Sequence, residues 1–109
     1  MTYYPAFLNL KGKHILLFGG GEVALRKAEA FSEAGAKLTA ISKDFSPAFK
    51  TFAAKSRIKL IQGSKIPSLK GIWLVVAATS DAKFNRKIFM ACEKNKIFVN
   101  ETLGGLALK

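Results

Sequence analysis

The stretch His14-Ile15-Leu16-Leu17-Phe18-Gly19-Gly20-Gly21-Glu22-Val23-Ala24 decides the fold of this chain. Its apolar first part predicts a buried strand, and the residues from Val23 to Ala34 have the spacing of an amphipathic helix. The glycines between them fit G-x-G-x-x-A in a strand–turn–helix setting. In that motif Gly19 permits a tight turn, Gly21 lets a pyrophosphate approach the backbone, and Ala24 lets helix and strand pack closely.

This turn predicts a dinucleotide site. Free backbone N–H groups and the positive end of the helix dipole face the turn, and both attract phosphate. Glycine triplets also occur in purely structural turns, so it is the surrounding strand and helix that favour the dinucleotide interpretation. The cofactor-binding residues predicted here are Gly19, Gly20, Gly21, Glu22, Val23 and Ala24.

Five short apolar runs predict the strands of one sheet: His14–Phe18, Leu38–Ile41, Ile58–Ile61, Trp73–Ala77 and Ile97–Val99. The runs are continuous, as in strands that are covered on both faces. Helical patterns separate several of them: Val23–Ala34, Ser46-Pro47 to about Lys55, and Ser80 or Asp81 to about Asn95. This alternation predicts an α/β fold, a Rossmann-like doubly wound parallel five-stranded sheet of order 3-2-1-4-5.

Composition limits the class of protein. The 109 residues, half of them hydrophobic, predict one globular domain spanning 1–109. No apolar run approaches the ~20 residues that span a bilayer, and Lys11 and Lys13 interrupt any signal sequence. One cysteine and one histidine provide neither a disulfide nor a zinc cluster, so we expect no metal and a cytoplasmic location.

The formal net charge of +11 is the unusual feature of the composition. Such a surface attracts polyanions, although the lysines are spread along the chain and suit an ordinary solvated surface as well. A nucleic-acid function would depend on charge alone, because no recognised reader motif accompanies it. We therefore expect no specific nucleic-acid partner and no membrane partner.

Ligands of such sheets lie beyond the carboxyl ends of the strands, where Lys43 and Asp44 follow the second strand. Asp44 lies near the spacing at which an acidic residue accepts hydrogen bonds from the adenosine ribose. Lys43 could instead meet a ribose 2′-phosphate, so NAD and NADP both stay open. A negative charge near the helix cap Ser46 explains Asp44 equally well.

Thr79 directly follows the fourth strand, where a nicotinamide would lie, and Asn85 is a further candidate for cofactor contact. Ser80 and Asp81 are better explained as caps of the third helix. Structural roles are favoured for His14, Cys92 and Trp73, and a solvated face suits Arg26 and Lys27 at least as well as phosphate binding.

Several segments together resemble the N-terminal domain of siroheme synthase, a precorrin-2 dehydrogenase of the sirohydrochlorin ferrochelatase type. They are PAFLNLKGK at 5–13, GGGEVALRKAEAFSEAGA at 19–36, AATSD at 77–81, Asn85-Arg86 and Ile97-Phe98-Val99-Asn100. The resemblance runs from about Pro5 to Asn100, and Gly-Gly-Gly-x-Val-Ala-x-Arg-Lys-Ala is much more specific than the glycine motif alone.

The resemblance implies NAD as cofactor and a reaction in siroheme biosynthesis, the dehydrogenation of precorrin-2 to sirohydrochlorin. Glu22, Val23, Lys43 and Asp44 match positions that contact NAD in the family. The implied partner is a tetrapyrrole polycarboxylate, which basic residues would attract. Family members continue into a helical segment that forms a homodimer and completes the tetrapyrrole cleft, and we expect that segment to be absent from this chain.

The chain also departs from the family pattern. The family usually has Asn-Val-x-Asp after the last strand, and that aspartate is its favoured acid/base. Here the segment reads Asn100-Glu101-Thr102-Leu103, so Leu103 occupies the aspartate position and Glu101 is the nearest carboxylate. The catalytic residue therefore stays unknown, with Glu101 as the candidate. The alternative function is a non-catalytic NAD-binding regulatory or interaction module.

Overall fold

The computed structural model describes residues 7–101 as a single sheet with helices on both faces. The strands are β1 (His14–Phe18), β2 (Lys37–Ser42), β3 (Lys59–Gln62), β4 (Leu74–Ala77) and β5 (Phe98–Glu101). The helices are α1 (Glu22–Glu33), α2 (Pro47–Ser56) and α3 (Ala82–Lys94). All strand pairs are parallel and the order is β3-β2-β1-β4-β5, which confirms the predicted fold.

Both faces of the central strands are buried, which explains their continuous apolar runs. Leu17 and Val76 belong to the core under α1 and α2, whereas Leu16 and Val75 belong to the core under α3. Successive residues of a strand point to opposite faces, so each strand contributes to both layers. Phe18 is fully buried and packs edge-on against the ring of Phe84 at 5.8 Å between centroids.

Local signals explain where two of the helices begin. The Ser46 hydroxyl accepts a hydrogen bond from the N–H of Phe49 at 3.1 Å, and Pro47 is the first residue of α2. The Asp81 carboxylate accepts hydrogen bonds from the N–H groups of Lys83 and Phe84 at 3.0 and 3.1 Å. The predicted capping roles of Ser46 and Asp81 are therefore confirmed, whereas Ser80, also predicted as a cap, precedes the N-cap and does not cap α3.

The fifth strand differs from the prediction. It was expected at Ile97–Val99, but Ile97 still belongs to the turn after α3, because its N–H donates to the Cys92 carbonyl at 2.9 Å. Asn100 and Glu101, expected after the strand, instead pair with Val76 and Ala77 of β4. Backbone hydrogen bonding to a neighbouring strand extends β5 past its apolar residues, and side-chain polarity does not reveal that extension.

Candidate dinucleotide site

A cleft of about 840 Å³ opens at the carboxyl edge of the sheet. Its walls are the glycine turn after β1, the segment after β2 and the segment after β4. The lining residues lie at 19–23, 41–46, 63–64, 78–81, 84 and 87. The cleft therefore occupies the switch in strand order, since β2 and β4 lie on opposite sides of β1.

Gly19 is required at its position for two reasons. Its φ is +135°, a conformation that L side chains rarely adopt, and a Cβ there would collide with the carbonyl oxygen of Ala78. That Cβ would also lie 3.0 Å from the Cβ of Ala24, which is fully buried beneath the turn. Gly19 and Ala24 thus permit the close approach of β1, α1 and the segment after β4.

Gly20 has a structural role in addition to its predicted place in the cofactor site, and the sequence motif did not indicate that role. A Cβ on Gly20 would collide with the carbonyl oxygen of Asp44 and lie 2.9 Å from the Ser42 hydroxyl. Its own carbonyl accepts a hydrogen bond from the N–H of Ser46 at 2.8 Å. Gly20 therefore joins the glycine turn to the segment after β2.

Gly21 leaves the cleft open at the start of α1. A Cβ on Gly21 would meet no atom within 4 Å, and no side chain caps this helix end. The N–H of Leu25 donates to the Gly21 carbonyl at 2.9 Å, so the N–H groups of the first turn have no partner within the helix. A pyrophosphate fits this arrangement, because it supplies acceptors for those N–H groups and negative charge at the positive end of the dipole.

The charged side chains of α1 contribute little to this phosphate site. Glu22 lines the cleft but pairs with Arg26 at 3.3 Å, and both side chains are largely exposed. Exposed pairs of this kind stabilise a fold by at most about 1 kcal/mol. Burial lowers the pKa of Lys27 by desolvation. Neither Arg26 nor Lys27 lines the cleft; Arg26 is exposed, as the solvated-face interpretation predicts, whereas Lys27 is half-buried.

A buried asparagine holds the segment after β4. Asn85 is completely buried, and its Oδ1 accepts hydrogen bonds from the Thr79 hydroxyl at 2.6 Å and the Thr79 N–H at 3.3 Å. Its Nδ2 donates to the Thr79 carbonyl at 3.0 Å. Thr79 lines the cleft whereas Asn85 does not, so Asn85 positions the residue that would face the cofactor.

Neighbouring strands hold the segment after β2. The side-chain amide of Gln62 donates to the carbonyl of Lys43 at 2.9 Å, and the N–H of Gly63 donates to the carbonyl of Ser42 at 2.9 Å. Lys43 and Asp44 are both exposed and both line the cleft. The structure therefore brings Lys43, Asp44, Thr79 and the glycine turn around one cavity.

The remaining candidates lie elsewhere. Glu101 ends β5 opposite Ala77, at the same edge of the sheet as the cleft, whereas Leu103 lies outside the described residues. His14 is exposed at the amino end of β1, away from the carboxyl edge. Cys92 is buried, and burial raises the pKa of its thiol to about 11. The ring of Trp73 packs edge-on against Phe98 at 5.4 Å.

Residues 7–101 contain neither a metal centre nor a membrane-spanning helix. No cluster of His, Cys, Asp and Glu in that range could hold a metal ion. No helix in the same part of the chain is long and apolar enough to cross a membrane.

Comparison with known proteins identifies the family and several relatives. A family model described as NAD(P)-binding matches residues 6–102. Siroheme synthase 2 of Klebsiella pneumoniae is 42% identical over 101 residues, which are 92% of this chain and 22% of that protein. Siroheme synthase of Edwardsiella ictaluri is 43% identical with the same coverage. This chain thus spans about a fifth of the length of these relatives.

A solved structure resembles the same part of the chain. It is described as SirC, precorrin-2 dehydrogenase, and superposes with a TM-score of 0.75 at 29% sequence identity. The match covers 90% of this chain and 48% of SirC.

Proposed function

The chain belongs to the NAD(P)-binding family whose model spans residues 6–102, and from this premise we propose that it acts in the NAD-dependent dehydrogenation of precorrin-2 to sirohydrochlorin. The resemblance to siroheme synthase and precorrin-2 dehydrogenase that the sequence predicted is confirmed by its relatives. The observation that carries the proposal is the uncapped N-terminus of α1, which opens on the cleft behind Gly21.

Three groups of lining residues bind three different parts of the cofactor. The first-turn N–H groups of Glu22 and Val23 hold the pyrophosphate. Asp44 accepts hydrogen bonds from the adenosine ribose at the end of β2. Thr79, held by Asn85, lies beside the nicotinamide end after β4. The bound nicotinamide supplies the hydride acceptor of the reaction.

The chain as a whole is strongly basic, with a net charge of +11. The cleft itself has mixed charge, since Lys43 and Lys87 line it together with Glu22, Asp44 and Asp81. The overall charge would attract a tetrapyrrole polycarboxylate to the protein, and Lys87 of α3 offers it one ammonium group in the cleft. Glu101 is the candidate for proton transfer, because β5 ends with it at the carboxyl edge of the sheet, on which the cleft also opens. Loss of one acid/base group typically lowers a rate about 10²–10⁴-fold, so replacement of the family aspartate leaves room for slow turnover.

The proposed enzyme acts as a homodimer in the cytoplasm. The homodimer follows from the family resemblance, and the free Cys92 suits a reducing compartment.

A second candidate function is a non-catalytic NAD-binding module with a regulatory or interaction role. Leu103 at the position of the family aspartate favours it. This candidate shares the cofactor site with the first and differs only in the absence of turnover.

Anaerobic turnover of precorrin-2 with NAD tests the proposal. We expect formation of sirohydrochlorin and NADH in equal amounts, and a Glu101→Gln variant should lower the rate while NAD affinity stays within about twofold. NAD binding without any turnover would reject the dehydrogenase and leave the binding module. Failure to bind NAD at all would reject both candidates.

A further inference from the structure

Cations that are spread along the sequence gather in the fold at the amino edge of the sheet, opposite the cofactor cleft. All strand pairs are parallel, so the first residues of the five strands meet at this one edge. Lys37 begins β2 opposite His14 of β1, and Lys59 begins β3. The exposed cations at the strand starts, or shortly before them, include Lys13, Lys37, Arg57, Lys59, Lys70 and Lys96.

Carboxylates are few at this edge. Each helix returns the chain from the carboxyl edge to the amino edge, so the ends of α1 and α3 bring Glu33 and Glu93 there. Within residues 7–101 none of the six named cations forms an ion pair, since the one pair found there lies inside α1. The amino edge therefore carries a row of unpaired positive charge. The carboxylates at the opposite edge are Glu22, Asp44, Asp81 and Glu101.

Two of these cations occupy backbone conformations that usually take glycine. Arg57 and Lys96 both have a φ of +56°, and within residues 7–101 they are the non-glycine residues with positive φ. Each follows the end of a helix, where glycine is the residue most favoured in this conformation. Each also lies two residues before an outer strand of the sheet, β3 or β5. A cation at both positions, in place of glycine, indicates that the charge itself contributes there.

Aromatic surface lies within this row of charge. Phe98, the first residue of β5, is 63% exposed, and its ring packs edge-on against the ring of Trp73 at 5.4 Å. The Lys13 ammonium lies 5.6 Å from the centroid of the Trp73 ring. The backbone fixes Trp73 beside β1, because its N–H donates to the His14 carbonyl at 2.9 Å. The amino edge thus presents cations together with an exposed ring on a rigid sheet.

We propose that the amino edge binds single-stranded nucleic acid without sequence preference, at a site separate from the cofactor cleft. In this binding mode the cations contact phosphates and a base stacks on the ring of Phe98, the combination by which proteins bind single strands. An acidic polypeptide would pair with the cations but has no base to stack, so the exposed ring favours nucleic acid. The sequence contains no recognised reader motif, which agrees with binding that does not depend on base sequence.

Fluorescence anisotropy of a labelled oligothymidylate of about 20 nucleotides, longer than a typical single-strand site, tests this inference. We expect saturable binding whose association constant falls with salt, with a log–log slope of about −0.7 for each phosphate contact. Lys37→Ala and Lys59→Ala should each make that slope shallower by about 0.7. Phe98→Ala should weaken binding about 5–150-fold, the effect of one lost stacked base, and leave the slope unchanged. Binding should also change the fluorescence of Trp73, the single tryptophan of the chain.

Matched variants separate this site from general charge and general hydrophobicity. Lys83 is exposed at the start of α3, at the carboxyl edge and outside the cleft lining, so Lys83→Ala should leave the salt slope unchanged. Met90 is 62% exposed on α3, so Met90→Ala should leave the affinity unchanged. Thermal unfolding of each variant checks that it folds. Poly-L-glutamate is the second probe, and it should bind more weakly than the oligonucleotide at the same salt concentration.

The outcomes distinguish this inference from the proposed function. Oligonucleotide affinity unchanged by Phe98→Ala would overturn the inference, as would equal binding of poly-L-glutamate. Saturating NAD should leave the oligonucleotide bound, because the cleft lies at the opposite edge of the sheet. Displacement by NAD would place the oligonucleotide in the cleft and overturn the inference. Binding of NAD without binding of the oligonucleotide would overturn it as well and leave the proposed function standing.

Discussion

Replacing Gly21 by valine should separate cofactor binding from folding. The φ of Gly21 is −96°, which any residue adopts, and its Cβ would meet no atom within 4 Å. Valine is a poorer N-cap than glycine, so we expect the free energy of unfolding to fall by no more than about 1 kcal/mol. For a domain of this size that lowers the melting temperature by roughly 4–8 °C.

Cofactor affinity should fall much further in the same variant. Gly21 lines the cleft, so in the proposed binding mode the valine side chain would occupy the space through which the pyrophosphate approaches the N–H groups of Glu22 and Val23. Losing two hydrogen bonds to a charged group, each about 1.5–3 kcal/mol, removes about 3–6 kcal/mol of binding free energy. The dissociation constant for NAD should therefore rise about 10²–10⁴-fold.

Calorimetric titration of NAD into wild type, Gly21→Val and Ala30→Val measures the difference. Ala30 is exposed on the same helix and does not line the cleft, so Ala30→Val should bind NAD normally. Gly20→Ala should differ from Gly21→Val by costing about 1–3 kcal/mol of stability, because its Cβ collides with the Asp44 carbonyl. A folded Gly21→Val protein that binds NAD as tightly as wild type would refute the reasoning.

Three further outcomes concern the framework of the site. Asn85→Leu should lower the free energy of unfolding by about 1–3 kcal/mol, because the N–H and hydroxyl of Thr79 lose their buried acceptor. An unchanged midpoint of urea unfolding would contradict this. Asp81→Ala removes the N-cap of α3 and should lower the free energy of unfolding by about 1 kcal/mol in the same urea assay. The neighbouring Ser80→Ala removes no cap and should lower it little; equal effects of the two substitutions would contradict the capping role. The pKa of the Cys92 thiol is raised to about 11 in the folded protein from an ordinary 9.0, so the thiol ionises at a lower pH in the unfolded chain than in the folded one. The free energy of unfolding should therefore fall between about pH 9 and 11, and Cys92→Ala should lack this component; identical pH profiles of the two proteins would argue against it.

Much of the fold was predictable because its signals are local. The apolar run of β1, the glycine turn and the proline after Ser46 each act through the residues next to them, and the structure has β1 at the predicted bounds. The strand order followed from the handedness of crossovers, which does not depend on particular side chains. These features are encoded over a few residues each.

The parts that were missed depend on contacts between distant segments. Gly20 looks like its two neighbours in the sequence, yet only the fold brings the Asp44 carbonyl against it. Asn85 and Thr79 were both named as cofactor candidates, but their mutual hydrogen bonds required the start of α3 to lie beside the end of β4.

The central claim, that NAD binds across the carboxyl edge of this sheet, is tested most directly by a residue-resolved titration. Backbone amide resonances of the isotope-labelled chain would be followed as NAD is added. We expect the largest shifts at Gly19–Val23, Lys43, Asp44 and Thr79, with His14 and Trp73 at the opposite edge unchanged. Saturable binding with shifts confined to other surfaces, or no shifts at millimolar NAD, would contradict it.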